Sequence, residues 1–103
     1  MAHVEVVHPG GGEIHILESR DLGRGGVFLN AADADTYPDL HVGAAIDLAF
    51  FSGRSLEAVH VNGLVVRVQR GSPGGFAVAF TGMAAEDGRR LDEMIAKSKK
   101  AAA

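Results

Sequence analysis

Short segments in which apolar residues recur at every second position constrain this chain of 103 residues more than any other feature. The clearest segment is residues 46–50, where Ile46, Leu48 and Phe50 take every second position. A period of two is typical of a β-strand that buries one of its faces. Glycine-rich turns separate several such segments, so the sequence predicts a mainly β fold.

A longer apolar segment, residues 56–70, changes phase in its middle. The apolar residues on the two sides of the change occupy opposite phases of the alternation: Val59 and Val61 come first, and Leu64, Val66 and Val68 follow. Gly63 lies between the two groups, where a β-bulge or a sharp bend would reset the inward face. Because a small closed barrel needs strands that bend in this way, the pattern favours a barrel.

Other segments complete the predicted barrel. Extended segments are predicted at residues 3–7, 13–17, 27–29 and 76–80, with turns or loops at 20–26, 31–43 and 52–54. Residues 64–70 and 76–80 are expected to pair as a hairpin, because only a short glycine- and proline-containing turn separates them. We therefore predict a small antiparallel β-barrel of about six strands.

The end of the chain changes to a helical period. Leu91, Met94 and Ile95 recur at i, i+3 and i+4, which predicts an α-helix over residues 84–100. Acidic residues come first in this segment and lysines last, as the helix dipole favours. We expect the apolar stripe at 91–95 to pack on the chain's own barrel.

A single domain accounts for the whole chain, because domains usually contain about 50–250 residues. Within it, we expect residues 1–12 to form an N-terminal strand and a glycine-rich turn. Residues 13–80 are expected to form the barrel, and residues 84–100 the C-terminal α-helix.

The composition excludes several classes of protein. Ten basic and thirteen acidic residues give a net charge of −3, which argues against a nucleic-acid partner. No apolar run approaches the roughly 20 residues of a membrane-spanning helix, and the first residues show no secretory signal. We therefore expect a cytoplasmic protein that does not insert into a membrane.

Residues suited to catalysis or metal binding do not form a recognisable pattern. The chain has no cysteine, and none of its histidines forms an H-x-H or H-x-x-x-H pair. No serine lies in a nucleophile-elbow motif. The histidines concerned are His3, His8, His15, His41 and His60. We therefore predict no catalytic residue, no metal site and no cofactor.

The segment from Ser19 to Leu29 is the most informative for function. Backbone N–H groups of a glycine-rich turn can hold an anion, and Arg20 and Arg24 add donors suited to phosphate. An ordinary strand connection, in which the aspartate bonds its own backbone and the glycines adopt positive φ, explains the same residues. The candidate ligand-binding residues are Arg20, Asp21, Gly23, Arg24 and Gly26.

This segment resembles the signature of the PilZ domain, a small bacterial β-barrel with a C-terminal helix. The family pattern is Asp/Asn-x-Ser-x-x-Gly followed by an apolar strand, and here it reads Asp21-Leu22-Gly23-Arg24-Gly25-Gly26. Later segments occur in the family's order: a Val-Gly before the Ile46 strand, residues 63–67, residues 75–80 and the closing helix. The resemblance covers about residues 13–98 and implies a PilZ-like antiparallel barrel.

In the family, this turn and an upstream Arg-x-x-x-Arg motif together bind cyclic di-GMP, a bacterial second messenger. Asp21 and Gly26 match the family pattern, but Gly23 stands in place of the serine, and residues 1–19 contain no arginine. Arg20 and Arg24 have the Arg-x-x-x-Arg spacing, yet they overlap the turn. Losing two arginines removes about 3–6 kcal/mol of binding, or roughly two to four decades of affinity.

The resemblance therefore implies a non-enzymatic signalling adaptor that contacts a protein partner, in motility or type IV pilus regulation, with weak or no cyclic di-GMP binding. A second hypothesis is a cyclic di-GMP receptor in which Arg20, Asp21 and Arg24 hold the dinucleotide in a non-standard way. A third is a small enzyme that uses a histidine–aspartate pair. For a homodimer, the candidate seams are the exposed side of Phe50–Phe51 and the helix at 91–95.

Overall fold

Six strands and one helix make up the described part of a computed structural model of the chain, which covers residues 3–7, 14–32, 34, 37–38, 40–51, 58–71 and 73–102. The strands are β1 (His3–Val7), β2 (His15–Arg20), β3 (Gly26–Ala31), β4 (Ala45–Phe51), β5 (Val59–Gln69) and β6 (Gly74–Gly82). The helix α1 spans Ala85–Ala102.

The strands form a closed barrel in the order β1-β2-β3-β6-β5-β4, and every neighbouring pair is antiparallel. This confirms the predicted mainly β barrel with a C-terminal helix. The barrel extends beyond the expected residues 13–80. At its start, β1 pairs with both β2 and β4, and at its end, β6 reaches Gly82. The local pattern of residues 3–7 contains no information about this closure.

The core fills the barrel and continues onto the helix. Ile46, Leu48 and Phe50 are all buried, as the alternation in β4 predicts. Leu91 and Ile95 of α1 belong to the same core cluster, which confirms that the helix packs on its own barrel. Neither Phe50 nor the helix stripe is therefore free to form a dimer seam, since both are used inside the fold.

The phase change in β5 lies further along the strand than predicted. Val61, Gly63 and Val65 all face the interior, so the alternation continues through the glycine. The pairing with β6 shifts between Val65 and Arg67, which leaves Val66 as an extra residue that is 49% exposed. Leu64, Val65 and Val66 are consecutive apolar residues, and such a run does not reveal which of its members face inward.

Little space is nevertheless left for a side chain at position 63. A Cβ there would lie 2.6 Å from Cγ1 of Val78 on the neighbouring strand. The irregularity predicted at Gly63 is present, because the register of β5 with β6 also shifts between Asn62 and Gly63. The residue thus marks a close approach of two strands in a narrow barrel.

The structure describes the predicted turn at 20–26 but not the predicted turn at 52–54. Arg20 is the last residue of β2, so the turn that follows begins at Asp21 and not at Arg20. The predicted tight turn at 52–54 lies outside the described residues, as does Glu13.

Candidate functional site

The connection between β2 and β3 is a tight turn with one residue in the left-handed region. That residue is Asp21, with φ 54°, and it is the single non-glycine residue with positive φ in the described part of the chain. Aspartate tolerates this conformation better than most residues. The Gly23 N–H donates to the Gly26 carbonyl oxygen at 2.9 Å, which closes the turn. The expectation that the turn glycines adopt positive φ is wrong, because Asp21 makes the reversal.

Gly26 brings the turn against β6. It pairs with Ala79, and a Cβ at position 26 would overlap the Val78 carbonyl oxygen. The Phe80 N–H donates to the Gly25 carbonyl oxygen at 2.9 Å and fixes the turn from the same side. The final glycine of the signature is therefore required by strand packing.

Gly23 meets no such restriction. The atom nearest to a Cβ at this position would be the Gly26 carbonyl oxygen, at 3.8 Å, an ordinary van der Waals contact. The serine of the family pattern would fit here without displacing the backbone. Glycine at this position removes a hydroxyl group, although the local packing does not require a glycine.

Arg20 lies over an aromatic ring on the outside of the barrel. Its guanidinium carbon is 4.3 Å from the ring centroid of Phe28, the residue paired with it on β3. Phe28 alternates with the core residues Val27 and Leu29 and is buried on the outer face. The Arg20 Nε also lies 3.4 Å from Oδ2 of Asp21.

Arg24 is bound to the helix. Its Nε lies 2.9 Å from Oδ1 of Asp92, and its Nη2 donates to Oδ2 of the same carboxylate at 2.9 Å. This bidentate pair joins the signature turn to α1 across 68 positions of sequence. Because the pair is largely exposed, it contributes only about 0.2–1 kcal/mol to stability.

The five predicted site residues thus lie in one short connection, but their two arginines have different neighbours. Phe28 and Asp92 are the residues that the sequence analysis missed. The register of β2 with β3 places Phe28 opposite Arg20. Aligning the two strands as a hairpin would therefore have identified Phe28 as the neighbour of Arg20. No local pattern pairs Asp92 with Arg24.

A cavity of about 410 Å³ lies where the turn meets α1. Its lining includes Arg24 and Asp92, together with Met83, Gly88 and Arg89. A larger groove of about 710 Å³ contains His41 but, among its described lining residues, no carboxylate. The histidine–aspartate enzyme hypothesis therefore finds no support in either place.

The described histidines have unrelated surroundings. His15 makes an edge-on contact with the ring of Tyr37, and the backbone N–H of His60 donates to Asp87 Oδ1 at 3.3 Å. Within the residues described, no three His, Cys, Asp or Glu side chains are grouped in a way that could hold a metal ion. His8 lies outside the described residues.

Comparison with known proteins connects this geometry to a family. The family model of the PilZ domain matches residues 2–97. A search of curated proteins gives no match. Over the described part of the chain, no helix combines the length and apolar character needed to cross a membrane.

Solved structures share the fold at low sequence identity. The Bacillus subtilis inhibitor of motility (MotI/DgrA) is 16% identical, with a TM-score of 0.73 over 95% of this chain and 46% of that chain. The K. pneumonia MrkH–c-di-GMP complex is 15% identical, with a TM-score of 0.75 over 98% of this chain and 48% of that one. The chain therefore spans about half the length of these structures.

Proposed function

This chain belongs to the PilZ domain family, and on that basis we propose that it is a non-enzymatic bacterial signalling adaptor that binds cyclic di-GMP weakly or not at all. It acts by contact with a protein partner, in the cytoplasm, in the regulation of motility or type IV pili. Cyclic di-GMP is a ligand of the family and not a cofactor.

The absence of arginine from residues 1–19 is the observation that carries this proposal, and the pairing of Arg24 with Asp92 adds to it. The Nε and Nη2 groups of Arg24 both contact the carboxylate of Asp92. A phosphate that binds these groups would therefore have to displace a bidentate partner. Residues 1–19 supply no arginine to replace it. The turn keeps the aspartate and the final glycine of the signature, while its two arginines contact Phe28 and Asp92.

The position of Arg20 supports the same conclusion. Its guanidinium group covers the ring of Phe28 and lies beside the Asp21 carboxylate, so it already has two neighbours within the chain. A dianionic dinucleotide needs several charge-assisted hydrogen bonds, each contributing about 1.5–3 kcal/mol. Arg20 alone does not provide them.

The names of two similar structures correspond to the two main hypotheses, the adaptor and the receptor. An inhibitor of motility favours the adaptor, whereas a complex of MrkH with c-di-GMP represents the receptor. At 15–16% identity these structures share only the fold with this chain, so the choice depends on the residues of the site.

Isothermal titration calorimetry with cyclic di-GMP tests the proposal. We expect no saturable heat at ligand concentrations up to hundreds of micromolar, because two to four decades of affinity are lost with the upstream arginines. A Kd in the micromolar range or tighter would contradict the adaptor hypothesis.

The receptor remains a second candidate because the cavity beside the turn contains both Arg24 and Arg89. If it is correct, Asp92→Asn should tighten cyclic di-GMP binding by releasing Arg24. The double substitution Arg20→Ala and Arg24→Ala should abolish it. If the adaptor is correct, all three proteins give the same absence of saturable heat.

A further inference from the structure

A groove on another part of the barrel shares no lining residue with the signature turn. It lies between the chain before β4 and the second half of β5, and its volume is about 710 Å³. We call it the β5 groove and define it by Tyr37, His41, Val42, Val66, Arg67 and Arg70.

Among the residues that the structure describes, one side of β5 has no strand partner along this groove. Pairing with β4 ends at Ala45 and Leu64, whereas pairing with β6 continues to Gln69 and Gly75. In the described part of the chain, the β4 side of residues 66–69 is therefore a free strand edge. Free edges present backbone donors and acceptors that another extended chain can use.

The turn before β4 creates this edge. The Gly43 N–H donates to the Val65 carbonyl oxygen at 2.8 Å, and the Val65 N–H donates to the Ala44 carbonyl oxygen at 3.0 Å. The Ala44 N–H donates to the His41 carbonyl oxygen at 2.9 Å, and Gly43 adopts a φ of 92°. The segment before β4 therefore contacts the β5 backbone only as far as Val65, and a space lies beside the residues of β5 that follow.

The bulge in β5 provides the groove with two kinds of contact. Because Val66 is the extra residue, Val66 and Arg67 are both exposed although they are consecutive. Val42, across the groove, is 61% exposed. An apolar surface and a cationic side chain therefore lie together at the free edge.

The described lining of the groove is basic, although the chain as a whole is acidic. The exposed Arg67 belongs to it, and none of the lining residues that the structure describes is an aspartate or glutamate, whereas the chain has a net charge of −3. A segment with acidic and apolar side chains matches this lining. A strand edge pairs with a polypeptide backbone, which favours a protein over a nucleic acid as the occupant.

We propose that the β5 groove binds an extended segment of a partner protein in which apolar and acidic residues alternate, and that the segment adds as a strand to the free edge of β5. This inference rests on the proposed adaptor function, because it identifies the surface through which the adaptor holds its partner.

The probe is a fluorescein-labelled hexapeptide that alternates valine with glutamate, measured by fluorescence anisotropy against the full chain. We expect saturable binding, and binding at least about tenfold weaker when lysine replaces glutamate. No saturable binding of the glutamate peptide, or equal binding of the lysine peptide, would overturn the proposal. Displacement of the peptide by a short oligothymidine would also overturn it.

Backbone methylation tests the strand addition itself. One hexapeptide carries N-methyl groups on its valine amides and another on its glutamate amides. Since only alternate amides of an added strand face β5, one of the two should lose binding by about tenfold or more. If both bind as tightly as the parent peptide, the segment does not pair as a strand.

A charge reversal locates the binding on the chain. Arg67→Glu should weaken binding of the peptide by about tenfold or more. Arg89→Glu makes the same change of charge on α1, outside the groove, and should alter binding by less than about twofold. Equal effects of the two substitutions would assign the binding to overall charge and reject the groove.

The outcomes separate this inference from the proposed function. Peptide binding together with micromolar cyclic di-GMP binding would leave the groove standing and reject the pure adaptor. Absence of both kinds of binding would reject the groove and leave the adaptor standing.

Discussion

A Cβ at position 26 would overlap the Val78 carbonyl oxygen, whereas a Cβ at position 25 would meet nothing within 4 Å. Two adjacent glycines of one turn thus carry very different packing requirements. At the residue scale, a signature motif contains both residues that the barrel needs and residues that a ligand needs. Gly26 belongs to the first group, and Gly23 stands where the family has a residue of the second.

Gly26→Ala should lower the free energy of unfolding by about 1–3 kcal/mol, because backbone atoms of β6 cannot move away without breaking the pairing. Urea denaturation followed by circular dichroism measures the change. Gly25→Ala is the matched control and should change stability by less than about 0.5 kcal/mol. If the Gly26→Ala protein were as stable as this control, β3 and β6 would have room for a side chain at position 26, contrary to the close approach of the Val78 carbonyl oxygen.

At the scale of elements, α1 is held on the barrel by both apolar and polar contacts. Leu91 and Ile95 complete the core, while Asp92 pairs with Arg24 of the turn. Asp87, in the first turns of the helix, accepts a hydrogen bond from the β5 backbone. Gly88 weakens this helix without an evident packing reason, since a Cβ there would come no closer than 3.5 Å to Met83 Sδ.

Gly88→Ala should therefore stabilise the protein by about 1 kcal/mol, because alanine loses less conformational entropy in a helix. For a domain of this size, the corresponding rise in Tm is about 4–8 °C. Thermal unfolding followed by circular dichroism measures it. The reverse exchange at an exposed helical position, Ala96→Gly, should lower Tm, and an equal direction for both substitutions would contradict the explanation.

At the scale of the whole molecule, exposed apolar residues flank β1. Ile16 of β2 is 69% exposed and Phe51 of β4 is 38% exposed, and both strands pair with β1. Phe51 is thus the part of the predicted dimer seams that remains accessible. A second copy of the chain is a candidate to cover this face.

Phe51→Glu tests self-association through this face. If the face forms a homodimer, the substitution should shift the sedimentation coefficient toward that of the monomer, because it places a charge in an apolar contact. Val66→Glu introduces the same charge on β5 and should leave sedimentation unchanged. An identical profile for the parent chain and the Phe51→Glu protein would exclude this face as a seam.

The sequence predicts the structure well where the interactions involve residues close together in the chain, and poorly where they involve distant residues. The strand at 46–50 and the helix stripe at 91–95 were predictable because each depends on neighbours within a few positions. The phase of β5 was not, since Leu64, Val65 and Val66 are all apolar and pairing with β6 decides which of them turns outward. For the site, the signature residues were found, but their neighbours were not.

The sequence by itself determined the alternation of the strands, the turn of the signature, the helix and the absence of arginine from residues 1–19. The tertiary structure decided that β1 closes the barrel and that Arg24 is bound by Asp92. It also decided that, over the described residues, β5 keeps a free edge beside the groove. The physical reason is that local periodicity reflects the geometry of one element. Closure, ion pairing and open edges depend on residues that only folding brings together.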